Sequence, residues 1–409
     1  MSDDKTSRVK GKLRLSNSKL NTLLEITNAI NNNSSKEELF GLLETILAND
    51  LLIGKFILFT KDTNWKESLS YGLSIEEVRS VNILPIVEKY ATIESLNSEQ
   101  EGGLAKLDVV IPVFHRESPL AYLLLADFEG EKIEISPIIK NLRFIQTLAN
   151  IIVVALENKR LANEYIKQVE VKKELELAQN IQQLLFPREL PNSKELTVKA
   201  YYLPHSEVGG DYYDVVHLKN GKTALCIADV SGKGMSAALL MANFQANLRA
   251  LLYVTDTIEE LIEKYNTKII ETANYEKFIT LFVAIFDPKE ETLTYVNSGH
   301  QPALLLQDGK SYKLGKGSTV LGMFDKLPYL NSESIQLKKG SRFICFTDGL
   351  AELEKTKDVQ LEVEGIEALI HKASSLDSIN LILKDSITSL GRKNGLSDDV
   401  TFLTAEFLR

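Results

Sequence analysis

Cysteine is nearly absent from this 409-residue chain. Cys226 and Cys345 are the only two, each inside an apolar strand-like run, which excludes a disulfide scaffold or a thiolate metal cage and reads as two buried, reduced thiols. Histidine is scarce too, with five in the whole chain, so an imidazole-built metal site has little to draw on. Positive charge is in deficit: 47 Lys and Arg against 56 Asp and Glu give a formal net charge of −9. That is the wrong sign for the clustered cations of a nucleic-acid footprint. Apolar runs such as Leu120 to Ala126 and Ile151 to Leu156 fall far short of the roughly 20 residues that cross a bilayer. The opening MSDDKTSRVKGKLRL lacks the apolar segment of a signal peptide. The expectation is a cytoplasmic protein with neither nucleic acid nor membrane as partner. A Cys-x5-Arg loop and a Walker-A sequence are missing as well, which removes two common ways of handling phosphate.

What is present divides along the chain, as the length of a two-domain protein suggests. Residues 1–15 are polar without periodicity and read as a flexible tail. Leu20, Leu23, Leu24, Ile26 and Ile30 then mark a helix, and Ser35-Lys36-Glu37-Glu38 is a capping-box start for a second one. A strand follows at Ile53 to Phe59. Leu107 to Phe114 and Pro119 to Phe128 flank a short polar turn as a hairpin, and a long helix begins near Ile138. This order of α and β elements over residues 16–158 resembles a GAF domain, which implies a sensor or a ligand-free dimerisation module. The segment has no cysteine for a bilin or an iron–sulfur cluster, and its one histidine, His115, falls in a turn.

Residues 159–188 read as a coiled-coil linker. From Leu148 the apolar or small positions step by four and three through Ile152, Ala155, Ala162, Ile166 and Val169, a heptad seam. The register then fails, and a new face opens with Val171, Leu175, Ala178, Ile181 and Leu185. Such a break locally unwinds or overwinds a coiled coil. The expectation is a parallel homodimer through this linker, with Phe186-Pro187 as the hinge into residues 189–409.

That last segment is strand-rich, with helical stretches at Met235 to Tyr253 and Ile258 to Ala273, and it carries acidic residues at four strand ends. Gly209-Gly210-Asp211 opens one strand, and Thr223 to Ala228 ends in Asp229-Val230. Asn220-Gly221 between them is a hairpin signal. A three-residue loop ending on Gly221 sets Asp211 directly across from Asp229. A two-residue loop sets Asp229 opposite Tyr212, with Asp214 diagonal on the same face. Either way two carboxylates meet, which costs stability unless a proton is shared or a cation lies between them. Phe343 to Phe346 leads to Thr347-Asp348-Gly349, and Ser397-Asp398-Asp399 precedes the final strand. An all-oxygen set of this kind suits a hard cation such as Mg²⁺ or Mn²⁺.

Six motifs now stand in order: Ala178-Gln179-Asn180-Ile181-Gln182-Gln183-Leu184-Leu185-Phe186-Pro187, Gly209 to Asp214, Ala228 to Gly234, Asn297 to Pro302, Phe346 to Gly349, and Asp398 to Thr401. They resemble the SpoIIE/RsbU-like branch of the PPM (type 2C) metal-dependent protein phosphatases. The resemblance implies an α+β fold, an α-β-β-α sandwich of two antiparallel sheets, with two divalent metal ions, Mn²⁺ or Mg²⁺, at one end. It implies Asp229 as the residue bridging both ions. Asp211 and the Val230 carbonyl would hold one of them, and Asp348 and Asp398 the other, with Asp399 as the reserve ligand and Asp214 the next. Asp211, Asp229, Asp348 and Asp398 are therefore the expected catalytic set. The implied substrate is a phosphorylated protein, a STAS-type anti-sigma antagonist in similar proteins. Where wider PPM members have Asp-Gly-His, this chain has Asp229-Val230-Ser231, and their phosphate-binding arginine has no counterpart, so Lys233 is the cation available to attract phosphate. The rival expectations are a catalytically inert phosphatase fold that only binds a partner, and a hydrolase of small phosphorylated molecules.

Overall fold

In the computed structural model, which describes residues 2–96, 102–127, 136–356, 359–394 and 396–408, helix α1 already begins at Ser2 and runs to Asn31. No loose tail precedes it over residues 2–15. That stretch lacks proline, so nothing stops the helix marked by Leu20 to Ile30 from extending back through it. The predicted capping box is formed: Glu38 N donates to Ser35 Oγ at 3.1 Å and Ser35 N donates to the Glu38 carboxylate at 2.8 Å. Helix α2 (Lys36–Thr45) follows it. Strands β1 (Lys55–Lys61) and β2 (Trp65–Tyr71) lead to short helices α3 (Ile75–Ser80) and α4 (Leu84–Lys89). The unit also holds β3 (Glu94–Ser95), the hairpin β4 (Val109–His115) and β5 (Ser118–Ala126), helix α5 (Pro137–Gln183), and single helical turns at Ile46–Asp50 and Gly102–Lys106.

Contacts divide the chain into Met1–Val169 and Glu170–Arg409. The first unit is an antiparallel sheet in the order β2-β1-β5-β4-β3. Phe56 and Leu58 pack with Ile26, Leu43, Leu148 and Ile152 on one face, while Ile57 and Phe59 pack with Val78, Ile86 and Tyr122 on the other. Burial on both faces is why β1 reads as an unbroken apolar run rather than an alternation. Helix α5 is long and apolar enough, by length and composition, to cross a membrane. Its Ile138, Ile145, Leu148, Ala149, Ile152 and Val153 are buried in this unit's core and make up a third of that apolar stretch. Beyond them Leu161, Tyr165, Ile166, Val171 and Ile181 on the same helix are exposed.

The second unit stacks two sheets. After β6 (Leu196–Leu203) come β7 (Tyr212–His217), β8 (Thr223–Val230), α6 (Gly234–Leu252), α7 (Ile258–Ala273), β9 (Ile279–Asp287), β10 (Thr292–Ser298), β11 (Ala303–Gln307) and β12 (Lys310–Leu314). They are followed by β13 (Gly317–Ser318), β14 (Glu333–Gln336), β15 (Ser341–Phe346), α8 (Asp348–Ala351), β16 (Glu354–Thr356), β17 (Val359–Gln360), α9 (Glu362–Ile370), α10 (Leu376–Asn394) and β18 (Val400–Phe407). One sheet runs β13-β10-β9-β8-β7 with β14 alongside β10, and the other runs β12-β11-β15-β18-β6. Leu225, Ile227, Phe282, Tyr295, Phe343 and Leu403 fill the space between them. Helices α6 and α7 cover the outer face of the first sheet, and α9 and α10 that of the second. The result is the expected α-β-β-α sandwich. Sequence reasoning had not placed α10, although Leu376, Ile379, Leu383 and Ile387 lie at helical spacing and are all buried. Cys226 and Cys345 are buried and unpaired, as expected.

Candidate metal centre

The β7–β8 hairpin takes the three-residue-loop register. Gly221 sits at φ +84°, Leu218 N donates to Lys222 O at 2.9 Å, and the ladder runs from Tyr212↔Ala228 to His217↔Thr223. One step beyond Tyr212↔Ala228, Asp211 faces Asp229. On β8, Leu225 and Ile227 point between the sheets while Cys226 and Ala228 point at α6, so Asp229 continues the inter-sheet row. The same alternation sends Asp214 to the opposite face. There Arg249 of α6 binds it bidentately, at 2.6 and 2.9 Å, and Tyr212 OH donates to it. Asp214 is therefore no part of the carboxylate cluster and serves instead to tie α6 to β7.

The second sheet delivers the other carboxylates. Thr347, at the end of β15, and Thr401, on β18, both donate through their hydroxyls to Asp211 Oδ2, at 2.8 and 2.6 Å. Asp211 is thus gripped across the sandwich, 2% exposed. Asp348 follows Thr347 directly. Gly349 lets the Asp398-Asp399 segment come close beside it, because a Cβ there would collide with the Asp399 carbonyl. The two neighbouring aspartates then part company. Asp399 is buried and accepts from His205 N and Gly210 N, both at 2.7 Å, whereas Asp398 accepts from Lys233 Nζ at 2.8 Å. The Val230 carbonyl opens toward Gly210, where a Cβ would lie 2.9 Å from it and 3.7 Å from Asp229 Oδ1.

So many carboxylates in one low-dielectric pocket raise one another's proton affinity. Burial, then Asp229 and Asp399, holds Asp211 well above the usual carboxylate range. Burial together with Asp348, Asp398 and Asp399 pushes Asp229 up to about 7, against the pull of Lys233. Asp348 and nearby Glu352 are raised by burial and by their acidic neighbours. Lys233 is the cation that these shifts name, and one ammonium does not balance the set. Among the described residues no three His, Cys, Asp or Glu side chains already close into a cage. The donor set still fits hard divalent cations: it is all oxygen, it is short of positive charge, and the Val230 carbonyl and an Asp229 oxygen both border Gly210, with only the small Ala237 side chain alongside.

Several contributors escaped sequence reasoning. Gln182, in the last turn of α5, is buried and clasps Gly209: its Nε2 donates to Gly209 O at 2.7 Å, and its Oε1 accepts from Gly209 N at 3.2 Å. Thr347 and Thr401 gave no signal of their own, since their shared partner lies some 136 and 190 positions away. His300 is buried beside the cluster, with Nδ1 2.8 Å from Thr280 Oγ1, and Thr280 pairs with Asp229 across β8 and β9. Burial pushes its pKa down to about 4. It is a neutral, solvent-excluded residue rather than a proton donor to substrate.

The family described as Stage II sporulation protein E (SpoIIE) matches residues 219–408. The chain is 30% identical over 240 residues to phosphoserine phosphatase RsbU of Bacillus subtilis, covering 58% of this chain and 70% of that protein. It is 28% identical over 188 residues to phosphoserine phosphatase RsbP of the same organism, covering 45% of this chain and 46% of that one, so less than half of RsbP is spanned. Among solved structures, the SiaA-PP2C domain of Pseudomonas aeruginosa superposes with a TM-score of 0.52 at 16% identity, over 59% of this chain and 98% of that domain. That last likeness is one of fold.

Proposed function

We propose, from the premise that this chain belongs to the SpoIIE family of PPM-type protein serine/threonine phosphatases, that it removes phosphate from a phosphoserine or phosphothreonine protein using two divalent ions held by the inter-sheet carboxylates. The observation that carries this reading is the convergence of buried Asp211, just before β7, with half-buried Asp229 at the end of β8 and half-buried Asp348 and Asp398 at strand ends of the facing sheet. Asp229 would be the residue both ions share. Asp211 and the Val230 carbonyl would hold one ion, and Asp348 and Asp398 the other. Asp398 is favoured over Asp399 because Asp399 is buried with its two oxygens spent on the amides of a different segment, His205 N and Gly210 N. Asp398 is partly exposed and holds only its own neighbour's amide, Asp399 N at 2.8 Å, and the exposed Lys233. Mn²⁺ or Mg²⁺ would supply there the positive charge and Lewis acidity that phosphoryl transfer to water requires.

The chain's own residues do the rest. Thr347 and Thr401 orient Asp211, so the carboxylate is aimed before any ligand arrives. Asp399 clasps Gly210 and His205 and fixes the loop that carries Asp211. A cysteinyl-phosphate route is closed, because Cys226 and Cys345 are wholly buried and burial pushes both thiols up. The test is phosphate release from a phosphoserine protein: it should require Mn²⁺ or Mg²⁺ and vanish with chelator. Turnover that persists in chelator would overturn the reading. An inert binding protein is disfavoured by the full set of oriented carboxylates, and a STAS-type antagonist in bacterial signalling, in the cytoplasm, remains the substrate class the family suggests.

Regulation belongs to the same proposal. Residues 16–158 act as a GAF-like module, a homodimer forms through the linker over 159–188, and α5 relays its state to the catalytic segment 189–409. Exposed Leu161, Tyr165, Ile166, Val171 and Ile181 on one helix favour a partner along it. Gln182 gives that helix a grip on the loop before Asp211. Gln182→Ala should weaken Mn²⁺ binding about tenfold, as loss of an orienting contact does. Calorimetric titration would read this, and an unchanged titration would remove Gln182 from the relay.

A further inference from the structure

Two loops border the turn that follows Asp229, and both are tied down. After α7 the chain reverses through Asn274 and Tyr275, at φ +46° and +63°, and is pinned to the turn. Ser231 N donates to Phe278 O, and Phe278 N donates to Ser231 Oγ, each at 3.0 Å. The segment after β13 lies alongside. Ile279 and Leu321 exchange backbone hydrogen bonds at 2.9 Å, Gly322 N donates to Asn266 Oδ1 at 2.9 Å, Asn266 Nδ2 donates to Phe324 O at 2.8 Å, and Tyr275 OH donates to Asp325.

These ordered loops hold apolar side chains out in solvent: Tyr275 is 51% exposed, Phe278 38%, Met323 50% and Phe324 44%, with Met235 of the first turn of α6 at 40%. A cluster of aromatics and methionines on an ordered surface is the composition of an interface core rather than of bare surface. Lys277 lies within it, with its Nζ directly over Gly232. No hydrogen bond or ion pair joins that ammonium to another described residue, whereas Lys233 next to it is taken by Asp398. The patch therefore keeps an ammonium with no described partner beside the turn that follows Asp229.

In a phosphoserine only Cβ and Oγ separate the phosphorus from the backbone, so a protein whose phosphate reaches the carboxylate cluster must lay its own surface on the rim. We propose that Met235, Tyr275, Phe278, Met323 and Phe324, around Lys277, form the docking surface for a folded phosphoserine protein. This rests on the phosphatase reading above. The surface discriminates a protein substrate from a small phosphate ester, which reaches the same cluster without touching the patch. Because the loops are already ordered, docking loses little entropy, and a few apolar anchors can carry most of the affinity.

The test compares two substrates, each with Mn²⁺: p-nitrophenyl phosphate, and a STAS-domain protein carrying one phosphoserine. Both side chains in the variant Met323→Asp/Phe324→Asp are exposed, and the Phe324 carbonyl keeps its bond to Asn266. For the phosphoprotein, kcat/KM should fall at least tenfold, chiefly through KM, while p-nitrophenyl phosphate turnover stays within twofold and so also reports an intact fold. Unchanged turnover of both overturns the proposal, and so does an equal fall in both. A dimer that becomes a monomer with phosphoprotein turnover unchanged would make the patch a contact between two copies, and would overturn it too. A wild-type protein inactive on both substrates would sink the phosphatase reading itself.

Discussion

Asp229→Asn should abolish phosphatase turnover, by about three orders of magnitude or more, and at the same time raise the melting temperature of the metal-free protein at pH 8. On the proposed assignment the loss follows from taking out the ligand that two ions would share, since removing one preorganised electrostatic group commonly costs about 10²–10³. The gain follows from linkage. Asp229 has its pKa pushed up to about 7 by burial and by Asp348, Asp398 and Asp399, against 3.8 for an unperturbed aspartate. Between those values the folded, metal-free protein holds a proton that the unfolded chain has released. Its stability is therefore full below about pH 4 as far as this group is concerned, and declines as pH rises toward 7. Asparagine removes the charge, so mutant and wild type should melt alike near pH 4 and separate increasingly up to pH 8. Adding Mn²⁺ should reverse the order, because binding to the native state stabilises wild type by mass action and leaves the mutant unmoved. An Asp229→Asn protein that keeps more than a tenth of wild-type activity, or that Mn²⁺ stabilises equally, would refute this assignment.

How much of this could be read beforehand depends on how far apart the interacting residues lie. Asn220-Gly221 fixes a hairpin locally, and Gly221 at positive φ decides the register that sets Asp211 against Asp229. The capping box at Ser35 is equally local and formed as read. The hydroxyls of Thr347 and Thr401 on Asp211 are a product of one sheet docking on the other, and no spacing in the chain announces them. Asp214 shows the opposite case. It sits in the same motif as Asp211, but strand alternation, which is legible, already separates their faces once the loop length is known. Arg249, which neutralises it, comes from α6 and is not legible from that motif. Helix α1 was obscured because its first residues are polar all round, so periodicity is silent where absence of a breaker is what matters.

The adjacent pair Asp398 and Asp399 should separate cleanly in experiment, although the sequence leaves them equivalent. Asp399→Ala strips the acceptor from two amides at once, His205 N and the buried Gly210 N. The unpaired buried Gly210 N costs about 1–3 kcal/mol, while exposed His205 N can turn to water, so roughly 1–3 kcal/mol of unfolding free energy should be lost even in the presence of chelator. Asp398→Ala removes a carboxylate whose partner, Lys233, has a side chain 53% exposed. An ion pair of that kind is worth about 0–1 kcal/mol, and its removal also relieves repulsion on Asp229 and Asp348. Stability without metal should hardly change, while stabilisation by Mn²⁺ and turnover should both collapse. Denaturant unfolding with and without Mn²⁺ reads both effects in one series. If Asp399→Ala proves as stable as wild type in chelator yet loses the response to Mn²⁺, and Asp398→Ala keeps that response, then the metal ligand is Asp399 and the two backbone amides are satisfied at little energetic consequence. The opposite pattern follows from geometry in which Asp399 ties down the amides of the distant 205–210 loop, while Asp398 holds only the adjacent Asp399 amide and a solvent-exposed lysine.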